Sequence, residues 1–300
     1  MRRYVCCQNS AYGAQALALV RSLQRHEPDP AQFTVSAVCM DDGLHERMWS
    51  LVRTDKALAR ILKPYRWTEM AEATPGLIDC LYDGRTTVEW FWTQASQAVA
   101  WMLEHKSGPS DRVVYVDSDL WFTGDPSPVF DAWEDSGADV ALHTHRFHAD
   151  YADREARGRF NVGLCGFRAT KEATVAARWW AKQVRRLCVT EMPALSATLP
   201  NGMAWTRAAG SAGDQGWIEG LVEFCKVHVI EHPGAAVAPY SAAWRALPEE
   251  IMWYHAHEAK YDHSGNVVKR TGYPTPQETT SRLVEPHEAA VKAAAEELWR

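Results

Sequence analysis

Short apolar runs alternate along the chain with longer stretches in which apolar residues recur every three or four positions. Short β-branched runs are typical of buried strands, and the longer period is typical of helices packed on a sheet. The runs predict strands at 3–7, 33–39, 113–116, 139–143, 160–167, 227–230 and 251–254. The period predicts helices at 14–25, 44–63, 88–105, 171–188 and 287–299, and another opening at 213. This alternation predicts an α/β protein with a largely parallel sheet.

Four other stretches show no clear period. Residues 64–89 are mixed, 189–212 are predicted to form a long loop, and 262–285 are predicted to be loosely ordered. Residues 144–159 are rich in charge and histidine, and we expect a mobile loop there. A loop of that length needs a functional reason, and we expect it to act as a lid over a ligand.

The stretch 112–130, RVVYVDSDLWFTGDPSPVF, joins a buried strand to candidate chemistry. Its apolar run ends on Asp117 and Asp119, one residue apart. Ligands of open α/β sheets bind at the carboxyl ends of strands. Two carboxylates there offer hard oxygen ligands to Mg²⁺ or Mn²⁺, ions that usually also bind substrate phosphates.

Two alternatives apply to this Asp-x-Asp. Acids gather in turns, so the tripeptide could be a solvated turn. Phosphatases of the haloacid dehalogenase type also place Asp-x-Asp after a buried strand, followed by one residue and then Thr or Val. Here Leu120 is followed by Trp121, which disfavours the phosphatase.

Composition narrows the class of protein. The chain has 300 residues, 46% of them apolar, which suits one large domain or two small ones with a sizeable core. A net charge of −6 argues against nucleic acid as a partner. No run of about 18 apolar residues predicts a membrane span, and the N-terminus lacks the long apolar core of a signal peptide. Contact with a membrane face and the oligomeric state stay open.

The seven cysteines bear on the compartment. Their number is odd, no Cys-x-x-Cys pair occurs, and most lie inside apolar runs. We therefore expect reduced, buried thiols in a cytoplasmic protein rather than a disulfide or zinc framework.

Several sequence blocks carry a resemblance that spans residues 3 to 261. In order, they are the first strand and helix with Asn9, Tyr12 and Ser22, then VVYVDSDLWFTGDPSPVF, FNVGLCGF, GDQGWIEGL, HPGAAVAPY and WYHAHEAKY. Together they resemble bacterial glycosyltransferases of the GT-A fold, nearest to the retaining galactosyl- and glucosyltransferases of family 8 and related nucleotide-diphospho-sugar transferases. The resemblance implies a GT-A, Rossmann-like domain over 1–275, with a mixed, mostly parallel sheet flanked by helices, and a helical extension over 276–300.

The resemblance also implies a metal and diphosphate site. Asp117 and Asp119, with Ser118 between them, would hold Mn²⁺ or Mg²⁺ against the diphosphate of the donor, and a late histidine would complete the site. His255 is the first choice, because Lys260 follows five residues later, near where a family lysine often touches phosphate.

A second histidine keeps this assignment open. His257 lies two residues on, so it faces the same side of a strand and remains the alternative ligand. The family prefers glycine three residues after its metal histidine, whereas this chain has Glu258.

Other positions receive roles from the same resemblance. Asn9 stands where many members carry Asp near the nucleobase, and Tyr12 could stack on the base. Ala11 replaces a common Asn, so donor recognition could differ. Asp214 and Gln215 would lie beneath the donor sugar, where a glutamine in retaining members lies near the anomeric carbon.

The resemblance also assigns residues to the acceptor side of the site, and some of the residues named have alternative roles. Asn161 and Gly163 would line the acceptor side, and Arg146 could clamp an acceptor or phosphate or merely sit on a solvated loop. Asp214 could instead offset a helix macrodipole. Glu89 suits a helix cap better than a donor contact.

The function implied is metal-dependent transfer of a sugar from a nucleotide-diphosphate donor, with a UDP-sugar expected, to a glycan or other hydroxyl acceptor with retention. Such a bacterial, hexosyltransferase-like enzyme fits the chemistry, because a divalent ion neutralises the diphosphate leaving group. One alternative is a sugar nucleotidyltransferase, whose Gly-rich basic signature is missing from CCQNSAYG. Another is a non-catalytic nucleotide-sugar binding protein.

Overall fold

The computed structural model describes residues 1–81, 83–242 and 246–300. Strands lie at Arg2–Gln8 (β1), Phe33–Cys39 (β2), Leu62–Arg66 (β3), Arg112–Val116 (β4), Leu120–Phe122 (β5), Val140–Thr144 (β6), Phe160–Arg168 (β7), Leu195–Thr198 (β8), Ala204–Arg207 (β9), Val227–Ile230 (β10), Trp253–His255 (β11), Lys260–Tyr261 (β12) and Val267–Lys269 (β13). Helices lie at Gly13–His26 (α1), Asp42–Thr54 (α2), Lys56–Ile61 (α3), Trp67–Ala73 (α4), Thr87–His105 (α5), Ser127–Ser136 (α6), Lys171–Arg186 (α7), Gly213–Ile218 (α8), Pro239–Ala242 (α9), Gln277–Thr279 (α10) and Glu285–Trp299 (α11). Short 3₁₀ segments lie at Ser10–Tyr12, Ile78–Leu81, Ala149–Arg157 and Glu219–Glu223, and a π-helical turn lies at Thr280–Val284.

The central sheet has seven strands in the order β10–β6–β7–β4–β1–β2–β3. Its neighbours are parallel except where β7 runs antiparallel to β4 and β6. The predicted α/β class with a mixed, mostly parallel sheet is therefore confirmed. Because β2 and β4 flank β1 on opposite sides, the carboxyl ends of β1 and β4 border the crevice where open α/β sheets bind ligands.

Helices cover both faces of the sheet and bury its apolar strands. On one face, Leu17 of α1, Trp133 of α6 and Leu298 of α11 join a single buried cluster. On the other face, Ala98 of α5 and Trp180 of α7 belong to a second cluster. Helix α11 packs along α1. The boundary between a domain at 1–275 and an extension at 276–300 stays a proposal.

Strand β3 was not predicted. The pattern indicated helix to residue 63 and irregular chain afterwards, whereas Leu62–Arg66 pairs with β2 at the edge of the sheet. An edge strand buries one side only and tolerates a proline, here Pro64, so the apolar run that marks a central strand is missing.

Two further segments predicted to lack regular structure contain hairpins. Within 189–212, β8 pairs with β9, and only Leu195 and Trp205 of these two strands are buried. Within 262–285, β13 completes a hairpin with β12. Strands that bury so few side chains leave almost no alternating pattern in the sequence.

The segment 144–159 is also not an irregular loop throughout, since Ala149–Arg157 forms 3₁₀ turns. Its Tyr151 packs edge-on against Tyr273, with ring centres 5.0 Å apart. Within 149–157, Tyr151 is the one aromatic residue, and a single aromatic anchor leaves no apolar period for the sequence to show. Among the helices that the structure describes, none is long and apolar enough to cross a membrane.

Candidate active site

Two acids stand at the corner between β4 and β5. The backbone N–H of Asp117 donates to the carbonyl of Gly163 on β7 (2.8 Å), and Leu120 donates back to the carbonyl of Asp117 (3.1 Å). The hydroxyl of Tyr115 donates to Oδ1 of Asp117 (2.8 Å). Asp117, Ser118 and Asp119 are all partly exposed at this corner, so their side chains can reach a ligand.

Strand β11 brings a histidine to the same corner. It pairs antiparallel with β5, which places His255 opposite Leu120. His255 donates its backbone N–H to Val237 (2.8 Å), and Ala256 donates to the carbonyl of Asp119 (2.9 Å). As a result, Nε2 of His255 lies 3.2 Å from Oδ1 of Asp119.

Asp117, Asp119 and His255 form a compact set of candidate metal ligands, here called the metal cluster. One ligand atom from each residue lies within 4.8 Å of the others. Carboxylate oxygens and an imidazole nitrogen are ligands for divalent ions such as Mn²⁺, so the donor set fits a divalent cation. The ring Nδ1 of His255 is buried and has no hydrogen-bond partner among the described residues, so the ring is not committed to another contact through that atom.

His257 lies beside this cluster but outside it. Its ring centre is 5.5 Å from that of His255, and its Nε2 lies 3.9 Å from Oε1 of Glu258. Burial and the neighbouring His255 lower the pKa of His257 to about 4. Within the described part of the chain, the geometry therefore groups His255, and not His257, with the two acids.

The electrostatics tie the three members of the cluster together. Burial and the negative charge of Asp119 raise the pKa of Asp117 to about 6. Burial alone would raise the pKa of Asp119, but the charge and hydrogen bond of His255 outweigh it and lower that pKa. Burial alone would lower the pKa of His255, but the charge and hydrogen bond of Asp119 outweigh burial and raise that pKa. Asp119 and His255 thus each favour the charged form of the other.

Asn161 and Gly163 on β7 border the ring of His255. The Asn161 amide accepts the Gly163 N–H through Oδ1 (2.6 Å) and donates through Nδ2 to the hydroxyl of Tyr240 (3.1 Å). A Cβ on Gly163 would lie 2.6 Å from Asn161 Oδ1 and 3.0 Å from Cε1 of His255. Glycine is therefore required for the close approach of these groups, while the predicted acceptor role of both residues stays a prediction.

Helix α8 presents Asp214 and Gln215. The Asp214 side chain is buried, and burial together with the charge of Asp117 raises its pKa well above the usual range. Burial therefore disfavours the charged form of Asp214, on which a macrodipole role would depend. Gln215 is partly exposed, and a Cβ on Gly158 would lie 3.0 Å from its Cβ, so it lies next to the end of the 3₁₀ segment.

The carboxyl end of β1 lies on the other side of the acids. Tyr12 is partly exposed, and burial followed by the charges of Asp119 and Asp117 raises the pKa of its hydroxyl, which therefore lies within electrostatic range of the cluster. The side-chain oxygen of Asn9 is buried without a hydrogen-bond partner in the described structure. These placements agree with a nucleotide lying along the crevice, although the contacts to the base remain predicted.

Arg146 and Lys260 are less closely tied to the cluster. The Arg146 guanidinium donates to the carbonyl of His232 (3.0 Å) and to that of Ala235, so it stabilises the turn at 232–235. Lys260 is exposed at the start of β12. Their roles at the acceptor and at the phosphate stay predictions.

Glu258 occupies the position where the resembling family prefers glycine. Its φ is 66°, in the left-handed region that glycine adopts without steric cost. Its carboxylate lies 3.3 Å from Nζ of Lys269 on β13. The backbone thus keeps the conformation that glycine would favour, and an ion pair anchors the side chain.

Glu89 stabilises the start of α5, as the cap interpretation predicted. With Thr86 it forms a capping box, and its other carboxylate oxygen accepts from the N–H of Thr190 (2.8 Å). These hydrogen bonds, with those from the side chains of Thr86 and Thr190, lower the pKa of Glu89 to about 2.

Some residues that shape the site were not singled out from the sequence. Tyr115 could have been found, because it lies two residues before Asp117 and so on the same face of the strand. Tyr240 ends the block HPGAAVAPY, yet nothing local shows that it meets Asn161. Asp41 holds the β1–α1 turn by accepting from the N–H (2.6 Å) and hydroxyl (2.6 Å) of Ser10.

Comparison with known proteins finds relatives that are similar in sequence. No family model matches the chain. Two uncharacterized proteins of Bacillus subtilis (strain 168) are similar in sequence. YfnF is 26% identical over 236 residues, which are 76% of this chain and 68% of YfnF. YfnD is 32% identical over 226 residues, 74% of this chain, and the match spans only 63% of YfnD.

Solved structures show the fold. The galactosyltransferase LgtC, in complex with donor and acceptor sugar analogs, aligns with a TM-score of 0.55 at 12% identity over 97% of this chain and 95% of that chain. Mouse xyloside xylosyltransferase 1 aligns with a TM-score of 0.53 at 13% identity over 86% of this chain and 98% of that chain. The chain has the GT-A fold. At such low identity the likeness concerns the fold, and membership of family 8 stays a prediction.

Proposed function

We propose that this protein is a metal-dependent glycosyltransferase that moves a sugar from a nucleotide-diphosphate donor, with UDP expected, to a hydroxyl of a glycan or other acceptor. The observation that carries the proposal is the convergence of Asp117, Asp119 and His255 within 4.8 Å beside the end of β4. The GT-A fold supports it, because the similar solved structures include LgtC, which binds donor and acceptor sugar analogs.

The metal cluster would hold the cation through Asp117, Asp119 and His255. When bound, a divalent cation supplies Lewis-acid neutralisation of the diphosphate leaving group. The neighbouring Ser118 and the exposed Lys260 would contact the phosphates, while Asn9 and Tyr12 border the predicted place of the base. The chain's own contribution would be to hold the three candidate metal ligands together before the donor arrives, which would spare reorganisation during the reaction.

We assign Gln215 and its neighbour Asp214 in α8 to the place beneath the donor sugar. The transition state of glycosyl transfer resembles an oxocarbenium ion, so an amide oxygen near the anomeric carbon is stabilising. An active-site glutamine of LgtC, changed to glutamate in a solved structure with a TM-score of 0.56, is consistent with such a group in this fold. Transfer with retention is part of the proposal.

Thermal unfolding tests the proposal. The protein would be heated with UDP, GDP, ADP or dTDP, each with and without Mn²⁺, as wild type, Asp119→Ala and the control Asp135→Ala on the exposed face of α6. A ligand that binds only the folded state raises Tm, by about 5 °C at 100 times its Kd. We expect one nucleotide to give a Mn²⁺-dependent shift that Asp119→Ala loses and Asp135→Ala keeps.

Turnover then separates an enzyme from a binding protein. With the matching nucleotide-sugar and Mn²⁺, we expect release of the nucleoside diphosphate by wild type and Asp135→Ala. Absence of a shift with every nucleotide would contradict the metal–diphosphate site. A Mn²⁺-dependent shift without turnover in the presence of acceptors would identify a non-catalytic binding protein.

A further inference from the structure

A guanidinium on the far side of the aromatic residues that border the metal cluster is held by two tyrosines, with no carboxylate partner among the described residues. Arg154, in the 3₁₀ segment, lies 5.1 Å from the ring centre of Tyr151 and 4.9 Å from that of Tyr273. It also donates a hydrogen bond to the hydroxyl of Tyr273, a residue that is 8% exposed. Because arginine carries five N–H donors, most of its donors are left for a ligand.

A second positive charge acts on the same hydroxyl. Burial raises the pKa of Tyr273, and the charges of Arg154 and Arg157 act against that rise. Arg157 is exposed and Arg154 partly so, so solvent reaches both. The two arginines therefore share the neighbourhood of the Tyr273 hydroxyl, and they are here called the arginine pair.

The acids near the arginine pair do not neutralise it. The charge of Glu258 contributes to the raised pKa of Tyr273, but the Glu258 carboxylate forms an ion pair with Lys269, whose Nζ lies 3.3 Å away. In the 3₁₀ segment, Oδ2 of Asp150 lies 3.5 Å from Nδ1 of His148, and the side chains of Asp153 and Glu155 are exposed to solvent. Among the residues that the structure describes, no carboxylate lies within ion-pair distance of either arginine.

A nearby arginine shows the opposite situation. Arg207 on β9 lies against the same segment, where it donates to the carbonyl of Ala156 (3.1 Å). Its guanidinium binds both carboxylate oxygens of Glu219, at 2.6 and 3.2 Å. Arg207 therefore has an internal ion partner, whereas Arg154 stacks on tyrosines and keeps its charge available.

The position of the arginine pair points to the acceptor rather than the donor. The ring of Tyr273 lies 5.9 Å from that of Tyr240 and 6.3 Å from that of His257. Those two rings lie 6.4 and 5.5 Å from the ring of His255. Tyr240 and His257 thus form a layer between Tyr273 and the metal cluster, where the donor diphosphate would bind.

We propose that Arg154 and Arg157 bind an anionic group, a phosphate or a carboxylate, carried by the acceptor of the transfer reaction. Guanidinium groups recognise both anions through paired N–H donors, and a guanidinium already fixed by stacking loses little freedom on binding. The inference rests on the proposed glycosyltransferase function and narrows its acceptor to an anionic sugar or glycan.

Equilibrium binding to the loaded enzyme tests the inference. Protein saturated with Mn²⁺ and the nucleoside diphosphate identified by thermal unfolding would be titrated with a hexose 1-phosphate, a hexuronic acid and the neutral methyl hexoside. The variants are Arg154→Gln, Arg157→Gln and both together, and the control is Arg53→Gln, an exposed arginine in the last turn of α2.

We expect wild type and Arg53→Gln to bind at least one anionic probe about 10- to 100-fold more tightly than the neutral hexoside. The double variant should lose this preference, while its Mn²⁺-dependent hydrolysis of the nucleotide-sugar without acceptor stays unchanged. The phosphate and carboxylate probes distinguish the two anions, and added salt should weaken the preference.

Three results would overturn the inference: equal binding of neutral and anionic probes by wild type, no binding of any probe, or an equal loss for all probes in the variants. The last would show that Arg154 only braces the tyrosines. If the wild type fails to bind nucleotide and Mn²⁺, the proposed function itself is contradicted. Normal donor hydrolysis without any preference for charge contradicts only the inference.

Discussion

The acids and the histidine of the metal cluster reach it by different routes. Asp117 and Asp119 end a buried strand and belong to one corner, so their separation is set within three residues of chain. His255 comes from a point more than a hundred residues later and is held by the pairing of β11 with β5. The acids are therefore placed by local structure, and the histidine is placed only when two distant strands meet.

The contacts that support the two acids, here called the acid half of the cluster, differ in the same way from those that support His255, the histidine half. Tyr115, two residues from Asp117, supplies its hydrogen bond from the same strand. The backbone of His255 is held by a hydrogen bond from its N–H to the carbonyl of Val237, and by one from the N–H of Ala256 to the carbonyl of Asp119. Its ring also needs the space that Gly163 leaves. The histidine half should therefore be more sensitive to changes elsewhere in the fold than the acid half.

The largest effect should come from the histidine itself. His255→Ala should lower metal-dependent turnover by roughly 100-fold or more, because one ligand of the Lewis acid is lost. His257→Ala should keep Mn²⁺ binding, with a loss of about tenfold at most. Titration of Mn²⁺ in the presence of the nucleotide compares the two variants, and their Tm without ligand controls for folding. Equal losses would contradict the assignment of His255.

A smaller effect should follow from filling the space beside His255. Gly163→Ala adds a Cβ that would lie 3.0 Å from the His255 ring and 2.6 Å from Asn161 Oδ1. We expect turnover to fall roughly 10- to 100-fold through displacement of these groups, with about 1–3 kcal/mol of destabilisation. Steady-state kinetics and denaturant unfolding measure the two effects. Unchanged kinetics in Gly163→Ala would show that the ring can move without consequence.

The local support of the acids can be tested at Tyr115. Tyr115→Phe removes the hydroxyl that donates to Asp117 at 2.8 Å and keeps the buried ring. Loss of such a supporting hydrogen bond should weaken Mn²⁺ binding by about tenfold. Titration of Mn²⁺ at constant nucleotide measures it, with Tyr65→Phe on the edge strand as the control. A loss larger than that of Gly163→Ala would reverse the ranking of the two halves.

A distant contact should change stability alone. The pKa of Glu89 is about 2 in the folded protein against its ordinary value of 4.5, so its stabilising contribution is present above pH 4.5 and is lost as the pH falls toward 2. Glu89→Gln should destabilise the protein by about 1–3 kcal/mol at pH 7 and by less at pH 3. Urea unfolding at both pH values measures this difference. A constant difference across that range would contradict the depressed pKa.

Much of the fold could be predicted because its signals are local. The strands that cross the middle of the sheet are apolar on both faces, as in the run Val113–Val116, and such runs are visible without an alignment. Strand β3 and the hairpins β8–β9 and β12–β13 were missed because they lie at edges or on the surface and bury few side chains. The 3₁₀ segment at 149–157 was missed for the same reason, since only Tyr151 anchors it among aromatic residues.

The α/β class and the pair of acids at the end of a strand follow from the amino-acid sequence alone, because strand periodicity and the spacing of Asp117 and Asp119 are properties of adjacent residues. Three other features depend on contacts in the folded chain: His255 rather than His257 lies with the acids, Tyr240 meets Asn161, and Arg154 has no carboxylate within ion-pair distance among the described residues. Each of those depends on contacts between residues far apart in the chain, and no local pattern encodes which distant strands pair or which charges are left without partners.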